Sequence, residues 1–340
     1  MTKLNLNSSA IQMKEDEVYL TSTDPSSGKV QVLILNPMTR RTRQAVILQG
    51  SRSFLLKLVD ERLYVGLDNR LLMRDSSENW KTVLQSENQS NFFWHMAVSL
   101  DGTLYVQEYG EPPTGIYSSR DGENWKLLVT SRDIDSRSRH FHSLAYDCFR
   151  DLLIATLGDG NHVRIIVSCD AGANWKPVYR GTWQVLPIVV QKDKIIFGMD
   201  SGIARGGLVK WWPSAKKFEI LHLKWKGSNA KMQMADLRCL DNGIWIAALG
   251  TPQAFVASCD GLKWSPLCFC GLSQLFNHSM TISEGKTIVS FATGKSVILV
   301  EKRILKENIL AVDPTILEHN ALIEKIVGIG HTIKWIWSKQ

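Results

Sequence analysis

A short sequence motif that ends in tryptophan, here called the tryptophan phrase, recurs through the chain about every 45 to 50 residues. The longest copy, Ser-Cys-Asp-Ala-Gly-Ala-Asn-Trp, ends at Trp175; copies one residue shorter end at Trp125 and Trp264, and a copy without the glycine ends at Trp80. Successive copies are 45, 50 and 89 residues apart, and the last interval is close to two steps. Repetition at this period is typical of propellers and other repeat arrays, so we expect the chain to consist of similar, packed units.

The residues of the phrase predict a tight turn between two β-strands. Asp can accept hydrogen bonds from the backbone of its own turn, and Gly adopts backbone conformations closed to other residues. The Trp that follows begins the next strand and can pack its ring between neighbouring sheets. Between the copies, short alternating apolar runs are separated by Asp-Gly, Gly-Asp and Asn-Gly, which indicates strands joined by turns.

Seven such units can be counted, starting near residues 11, 51, 91, 138, 182, 230 and 273. Each would contain about 48 residues, which is within the usual length of a propeller blade. The sequence therefore predicts an all-β fold, a seven-bladed β-propeller of four-stranded antiparallel blades. Six blades is the alternative, because the first unit and the segment after Lys302 are irregular. We expect one domain over residues 1–340, with segment 306–340 closing the ring or packing on it, for example by pairing Ile326–Trp337 with the N-terminal strand.

Charge and cysteine content restrict the partners. The chain has 40 Lys and Arg against 33 Asp and Glu, a formal net charge of +7, which favours an anionic partner. The basic residues are scattered, the densest cluster being Arg40, Arg41 and Arg43, and no nucleic-acid recognition motif occurs. A nucleic acid is therefore not the expected partner. Six cysteines without a Cys-x-x-Cys motif predict free thiols rather than a disulfide framework.

The sequence also bears on location. It contains no apolar run of about 18 residues, so no membrane-spanning helix is expected. The first residues, Met-Thr-Lys-Leu-Asn-Leu-Asn, do not continue into the apolar stretch of a secretory signal. We therefore expect a cytoplasmic protein, with unconventional export as the alternative if its substrate is a polysaccharide outside the cell.

Polar residues that carry chemistry fall in the loops of one predicted face. In a propeller, the loops entering the inner strands and those joining the second to the third strands share a face, and the tryptophan phrases lie on the opposite one. The candidate catalytic residues on the first face are His95, His140, His142, Glu108, Tyr109 and Asp159. The candidate substrate-binding residues are Arg164, Arg205, Gln184, Trp183, Asp200 and His278.

Several roles are open for these side chains. His140 and His142 have strand spacing and so face one side, where they can act as a general base, bind a divalent cation (calcium or zinc) with Glu108 or Asp159, or line the channel. Glu108 and Tyr109 can donate a proton. Either Arg164 or Arg205 can bind a carboxylate with two hydrogen bonds. No cofactor is firmly implied.

The tryptophan phrase resembles the Asp-box, or bacterial neuraminidase, repeat, Ser-x-Asp-x-Gly-x-Thr-Trp. Asp-box propellers include sialidases, but the Arg-Ile-Pro motif of sialidases does not occur in this chain. The stretch Trp94–Ser201 resembles uncharacterised Asp-box propellers associated with polysaccharide metabolism, and is also similar to seven-bladed lyases that cleave uronic-acid glycans. The matching elements are Glu108-Tyr109-Gly110, Ile116-Tyr117-Ser118, His140-x-His142, Tyr146-Asp147, Gly158-Asp159, Ser168-x-Asp170, Gln184 and Gly198-x-Asp200.

The resemblance implies a carbohydrate-active propeller whose partner is an acidic, uronate-containing oligo- or polysaccharide. A polysaccharide lyase would use His140 or His142 as the base, Arg164 or Arg205 to neutralise the uronate, and Tyr109 to protonate the leaving oxygen. A glycoside hydrolase would instead need two carboxylates, such as Glu108 with Asp159 or Asp200. We prefer the lyase, but leave open whether the protein is an enzyme. The alternative is a non-catalytic propeller scaffold that binds a protein or glycan partner.

Overall fold

The computed structural model describes residues 1–24, 27–201, 206–225, 232–271, 277–311 and 317–319. Nearly all regular structure is β. The N-terminal strand and the first four blades comprise β1 (Thr2–Leu4), β2 (Ser8–Lys14), β3 (Glu17–Asp24), β4 (Lys29–Asn36), β5 (Arg41–Gln49), β6 (Leu55–Val59), β7 (Arg62–Leu67), β8 (Arg70–Arg74), β9 (Trp80–Gln85), β10 (Phe92–Val98), β11 (Leu104–Tyr109), β12 (Gly115–Ser119), β13 (Lys126–Thr130), the one-turn helix α1 (Ser131–Ile134), β14 (Phe141–Asp147), β15 (Leu152–Leu157), β16 (Val163–Ser168) and β17 (Lys176–Gly181).

Three further sheets follow in the chain. Their strands are β18 (Val185–Val190), β19 (Ile195–Met199), β20 (Gly207–Trp212), β21 (Lys217–Trp225), β22 (Gln233–Cys239), β23 (Trp245–Thr251), β24 (Gln253–Ser258), β25 (Ser265–Gly271), β26 (Met280–Glu284), β27 (Ile288–Thr293) and β28 (Val297–Glu301). A second helix, α2 (Lys302–Ala311), and a short strand, β29 (Leu317–His319), complete the described chain.

The strands form seven antiparallel sheets, each an up-and-down meander. The first strands of successive sheets contact one another in turn, from β2 through β6, β10, β14, β18 and β22 to β26 and back to β2. This closed order confirms the seven-bladed propeller and excludes the six-bladed alternative. Second and third strands are mostly buried because each sheet packs between two others, whereas the fourth strands β5, β9 and β13 carry mainly exposed and half-buried residues.

The N-terminal strand closes the ring. Strand β1 pairs antiparallel with β28, with Thr2 opposite Leu299, and thereby provides the outer strand of the last blade. The segment predicted to close it, Ile326–Trp337, lies outside the described residues. Further along the described chain, β29 pairs with β21 and adds a fifth strand to the fifth sheet. Within the described residues, no helix is long and apolar enough to cross a membrane.

The tryptophan phrases form the predicted turns between third and fourth strands. In the copy that ends at Trp125, the Ser119 hydroxyl accepts a hydrogen bond from the Gly122 N–H at 2.8 Å, and the Trp125 Nε1–H donates to the Gly122 carbonyl at 3.2 Å. The copies that end at Trp175 and Trp264 repeat both bonds within 0.2 Å. The same local hydrogen-bond pattern therefore forms the turn before the outer strand in three different blades.

Two glycines of these turns allow a matched stability test. Gly122 and Gly261 both have left-handed backbones, with φ of 77° and 72°. A β-carbon at Gly122 would lie 2.0 Å from the Tyr64 hydroxyl, whereas one at Gly261 would meet nothing within 4 Å. We expect Gly261→Ala to cost about 1–2 kcal/mol from backbone strain alone. Gly122→Ala should cost about 1–3 kcal/mol more, because Tyr64 must move. Urea denaturation of both variants measures the difference, and equal costs would contradict the packing described here.

Candidate functional site

Two buried histidines and one carboxylate meet at one end of the propeller axis. His140 immediately precedes the inner strand β14 and His142 lies within it, so both side chains face the same side. They are 4% and 3% exposed. Asp159 reaches them from the loop between β15 and β16, with its carboxylate oxygens 3.5 Å from His140 Nε2 and 3.3 Å from His142 Nε2. We call His140, His142 and Asp159 the histidine–aspartate cluster.

The backbone of the neighbouring blade orients His140. Its Nδ1 lies 2.8 Å from the Gly110 carbonyl oxygen, a distance at which Nδ1–H donates and Nε2 is left with a lone pair. Gly110 has a φ of 139°, and a β-carbon there would lie 2.2 Å from Asn91 Oδ1. The turn directly after β11 lies so close to Asn91 that it requires glycine at position 110. This packing fixes the Gly110 carbonyl, which accepts the hydrogen bond from His140.

Aromatic side chains surround the cluster. The Tyr109 ring lies 4.1 Å from the His140 ring and 4.9 Å from Trp94, which in turn is 5.0 Å from His278. Phe92 contacts Tyr109 at 5.1 Å and Phe54 at 4.9 Å. We call these five residues the aromatic layer; its members are Phe54, Phe92, Trp94, Tyr109 and His278.

The aromatic layer borders the central channel. The channel encloses a cavity of about 440 Å³ lined by residues of all seven inner strands, and Phe54, Trp94 and His278 contribute to its wall. His95, the residue after Trp94, also lines this cavity and is held by a contact of 3.2 Å between its Nδ1 and Gln107 Oε1. The histidine–aspartate cluster therefore lies beside one end of the channel, the mouth, and Asp159 is its half-exposed member.

Burial sets the protonation states at this mouth. Burial lowers the pKa of His95, His140 and His278 to about 4, so all three imidazoles are neutral at pH 7. Burial, followed by the charges of Asp159 and Asp200, raises the pKa of Tyr109 to about 12, so its phenol stays protonated. The mouth thus offers neutral imidazoles as proton acceptors next to a phenol that can donate a proton.

Asp200 is a second buried carboxyl group near the cluster. It follows β19, is 6% exposed, and receives hydrogen bonds from Gln233 Nε2 at 3.2 Å, both to its Oδ1 and to its backbone oxygen. Its N–H donates to the Gln184 carbonyl at 2.8 Å. Burial raises the pKa of Asp200 to about 7. This backbone hydrogen bond makes Asp200 and Gln184 neighbours, and substrate binding by their side chains stays a prediction.

The raised pKa predicts how stability depends on pH. Since the pKa of Asp200 is near 3.8 in the unfolded chain and about 7 when folded, the folded protein binds the proton more tightly. The ionised Asp200 carboxylate destabilises the fold above pH 7. This loss of stability becomes smaller as the pH falls from 7 toward 3.8, the pKa of the group in the unfolded chain. We expect Asp200→Asn to be more stable than wild type by up to about 4 kcal/mol at about pH 8, and no more stable at about pH 4. Urea denaturation in a chelator-containing buffer tests this; a difference independent of pH would contradict it.

Three residues from the sequence analysis lie in other environments. The buried Glu108 carboxylate accepts hydrogen bonds from the Ser86 hydroxyl, Asn91 Nδ2 at 2.8 Å, the Gly115 N–H at 2.9 Å and the Tyr117 hydroxyl at 3.2 Å. These four donors favour a structural role for Glu108 over a catalytic one.

Arg164 and Trp183 also have partners away from the cluster. The Arg164 guanidinium is buried against the Asp135 carboxylate, with which it forms an ion pair. Trp183 stacks on Tyr179 at 4.5 Å with an interplanar angle of 11°. Because its ion pair with Asp135 is buried, the Arg164 guanidinium is poorly accessible to a uronate; the predicted binding role of Arg164 stays a prediction. Arg205 lies outside the described residues.

The structure adds an arginine that the sequence analysis did not select. Arg139, the residue before His140, has a half-exposed side chain that pairs with Glu111 at 2.7 Å. Its charge acts on Asp159, Tyr109 and His140, which places the guanidinium at the rim of the mouth. In the sequence, the feature that indicates Arg139 as a site residue is its position next to the His-x-His motif. Phe54 and Phe92 carried a similar signal, since both lie next to or at the start of inner strands.

Comparisons with known proteins support the fold without identifying a family. The sequence matches no known protein family and no curated protein. Virginiamycin B lyase from Staphylococcus aureus superposes with a TM-score of 0.64 at 10% identity, over 87% of this chain and 97% of that one. A puromycin-hydrolyzing peptidase from Mycobacterium tuberculosis gives 0.62 at 14% identity, over 93% and 53%. The extracellular domain of a putative hybrid two-component system from B. thetaiotaomicron gives 0.61 at 13% identity, over 87% and 38%.

The last two structures are much longer than this chain, which spans about half of one and two fifths of the other. The three structures are a lyase, a peptidase and an extracellular domain, a variety that is expected for a fold that hosts many functions. At these identities the likeness concerns the architecture alone. Among solved structures, this chain is therefore a seven-bladed β-propeller with neighbours of varied function.

Proposed function

We propose that this protein acts on an acidic, uronate-containing glycan at the mouth formed by the histidine–aspartate cluster and the aromatic layer. The observation that carries the proposal is the convergence of neutral imidazoles, a protonated phenol and a carboxylate at one end of the channel. Aromatic rings next to such groups suit a sugar, which presents both apolar faces and hydroxyls. The positive net charge of +7 favours an anionic ligand.

A polysaccharide lyase is the activity that these groups fit best. In β-elimination, a base removes the proton on the carbon next to the uronate carboxylate, the bond to the 4-linked oxygen breaks, and a carbon–carbon double bond forms. We assign protonation of the leaving oxygen to Tyr109; its phenol is protonated, and its ring lies beside those of His140, His142 and His278 at centroid distances of 4.1, 5.9 and 6.0 Å, which supports the assignment. One of these imidazoles accepts the proton. Arg139 at the rim takes the carboxylate-binding role that the sequence analysis gave to Arg164.

A glycoside hydrolase is the second candidate, and one observation favours it. The pKa of Asp200 is raised to about 7, whereas that of Asp159 is lowered by its imidazole neighbours although burial alone would raise it. Carboxyl groups with pKa values moved apart are typical of an acid–base pair. Asp200, however, is 6% exposed and held by Gln233, so it is less accessible to a glycan than Tyr109. We therefore retain the lyase.

The turns between blades support the link to polysaccharide-associated propellers. Three copies of the tryptophan phrase share the hydrogen bonds of one turn, which is what the proposed Asp-box resemblance requires. The non-catalytic alternative, a scaffold that binds a glycan or a protein through the same mouth, uses the same residues for recognition alone.

A product assay separates these functions. The protein is incubated with a panel of uronate-containing oligosaccharides, and the ultraviolet absorbance of unsaturated uronate and the number of reducing ends are followed together. Growth of both signals indicates a lyase, and new reducing ends without unsaturation indicate a hydrolase. Binding without either product supports the scaffold, and neither binding nor product across the panel would reject an acidic glycan as the ligand.

A further inference from the structure

We propose that the histidine–aspartate cluster binds one divalent transition-metal ion, with zinc as the best-matched ion. His140 Nε2 and His142 Nε2 are buried, and in the described part of the chain each makes only a long contact with the Asp159 carboxylate, at 3.5 and 3.3 Å, and no well-formed hydrogen bond. Two buried imidazole nitrogens that are incompletely satisfied in this way are costly in a protein interior. An ion between them and the Asp159 carboxylate would satisfy both.

Two of the distances in the cluster, one to each Asp159 oxygen, are close to those of tetrahedral coordination. Zinc bonds of about 2.0–2.1 Å at the tetrahedral angle place neighbouring ligand atoms about 3.4 Å apart. The observed separations between Asp159 oxygens and the two Nε2 atoms are 3.5 and 3.3 Å. All three potential ligand atoms lie within 4.8 Å of one another. One ion can therefore reach all three groups with small side-chain movements.

The surroundings of His140 also match those of a metal ligand. Its Nδ1–H donates to the Gly110 carbonyl at 2.8 Å, which selects the tautomer whose Nε2 lone pair points at Asp159. Such an outer hydrogen bond is the usual device that orients a ligating imidazole. Two imidazoles and one carboxylate suit zinc and similar ions, whereas calcium prefers six to eight oxygen ligands. Of the two cations considered from the sequence, the donor set therefore favours zinc.

Three protein ligands leave a fourth position open, as in catalytic rather than structural zinc sites. A uronate carboxylate oxygen can occupy it, and the ion then neutralises the charge that Arg164 was expected to neutralise. With both Nε2 atoms on the ion, His278 remains as the imidazole that accepts the proton, 6.0 Å from Tyr109. These two roles rest on the function proposed above, whereas binding of the ion does not.

The test is a calorimetric titration of the chelator-treated full chain with Zn²⁺, together with the visible absorption of the Co²⁺-loaded protein. The Cys268 and Cys270 sulfurs, 3.8 Å apart, are a competing zinc site, so every protein carries Cys268→Ser and Cys270→Ser. We expect one ion per chain and a tetrahedral Co²⁺ spectrum. His142→Asn and Asp159→Asn should each weaken binding by more than about 100-fold, the upper end of what loss of an outer hydrogen bond costs.

His162→Asn is the matched control, because His162 follows Asp159 in the same loop and is not a member of the cluster. It should bind zinc like the parent. Far-ultraviolet circular dichroism without metal verifies that each variant is folded. Absence of stoichiometric binding in the parent, or unchanged affinity in both His142→Asn and Asp159→Asn, would overturn the metal site.

The outcomes for metal and for catalysis are separable. Zinc binding without product from any uronate would reject the proposed function and support the metal site. Product formation that is unchanged by chelation, in a protein that binds no zinc, would reject the metal site and support the lyase. His278→Asn is expected to keep full zinc affinity and lose turnover; loss of zinc affinity in this variant would contradict the assignment of the three ligands.

Discussion

Replacing Tyr109 with Phe is expected to lower kcat on the cleaved uronate substrate by about 10²–10⁴-fold, the range associated with loss of a general acid. The variant keeps the ring that packs on His140 at 4.1 Å and on Trp94 at 4.9 Å, so the aromatic layer should persist. Only the phenol hydroxyl group is removed. Steady-state kinetics on the purified variant, with KM and kcat determined separately, measure the effect.

Tyr146→Phe is the matched control for this experiment. Tyr146 lies near the opposite end of β14, the same inner strand that carries His142, and its hydroxyl donates to Asp151 at 2.6 Å. Its removal should leave kcat within about 2-fold, since it is remote from the mouth. If both variants retained full turnover, Tyr109 would not be the proton donor; if both lost it equally, the loss would reflect general damage to the blade.

Replacing Glu108 with Ala is expected to lower the free energy of unfolding by about 3–5 kcal/mol, because several buried donors lose their acceptor at about 1–3 kcal/mol for each group left unsatisfied. The substitution leaves the Asn91 amide, the Gly115 N–H and the Tyr117 hydroxyl without their acceptor inside the blade. Urea denaturation measures the loss. Glu123→Ala is the control, because its ion pair with Lys81 is half exposed and should be worth about 1 kcal/mol or less.

This comparison also decides the role of Glu108. If the Glu108 carboxylate is structural, Glu108→Ala should be less stable than the wild type, but its folded molecules should turn over substrate at the wild-type rate. A variant with unchanged stability and lost turnover would instead restore Glu108 as the catalytic acid that the sequence suggested.

The blade count was predictable because it depends on local chemistry that repeats. Ser119, Gly122 and Trp125 hydrogen-bond within a few residues of one another, and the same two bonds return in the copies that end at Trp175 and Trp264. Each copy also marks a fixed place, the turn before an outer strand. The position of each copy along the chain therefore indicates which blade of the ring contains it.

Part of the site followed from the same geometry. His140 and His142 were placed by strand alternation, and Asp159 by its position in a loop of the same face, so their convergence was foreseeable. The partners of Glu108 and Arg164 were not, because they come from distant segments. Ser86 and Asn91 precede Glu108 by 22 and 17 residues, and Asp135 precedes Arg164 by 29. No local pattern indicates that a charged side chain is already satisfied by such neighbours.

The most direct test of the account is the affinity of the wild-type protein for a uronate oligosaccharide compared with that of its carboxyl-reduced, neutral counterpart. Calorimetry of both ligands, repeated with Arg139→Gln and Tyr109→Phe, separates the effect of the ligand's charge from that of the site. The account predicts binding of the acidic sugar, at least about 10-fold weaker binding of the reduced sugar, and loss of that preference in Arg139→Gln but not in Tyr109→Phe. Equal affinity of the wild-type protein for the two sugars, or a preference unaffected by Arg139→Gln, would contradict it.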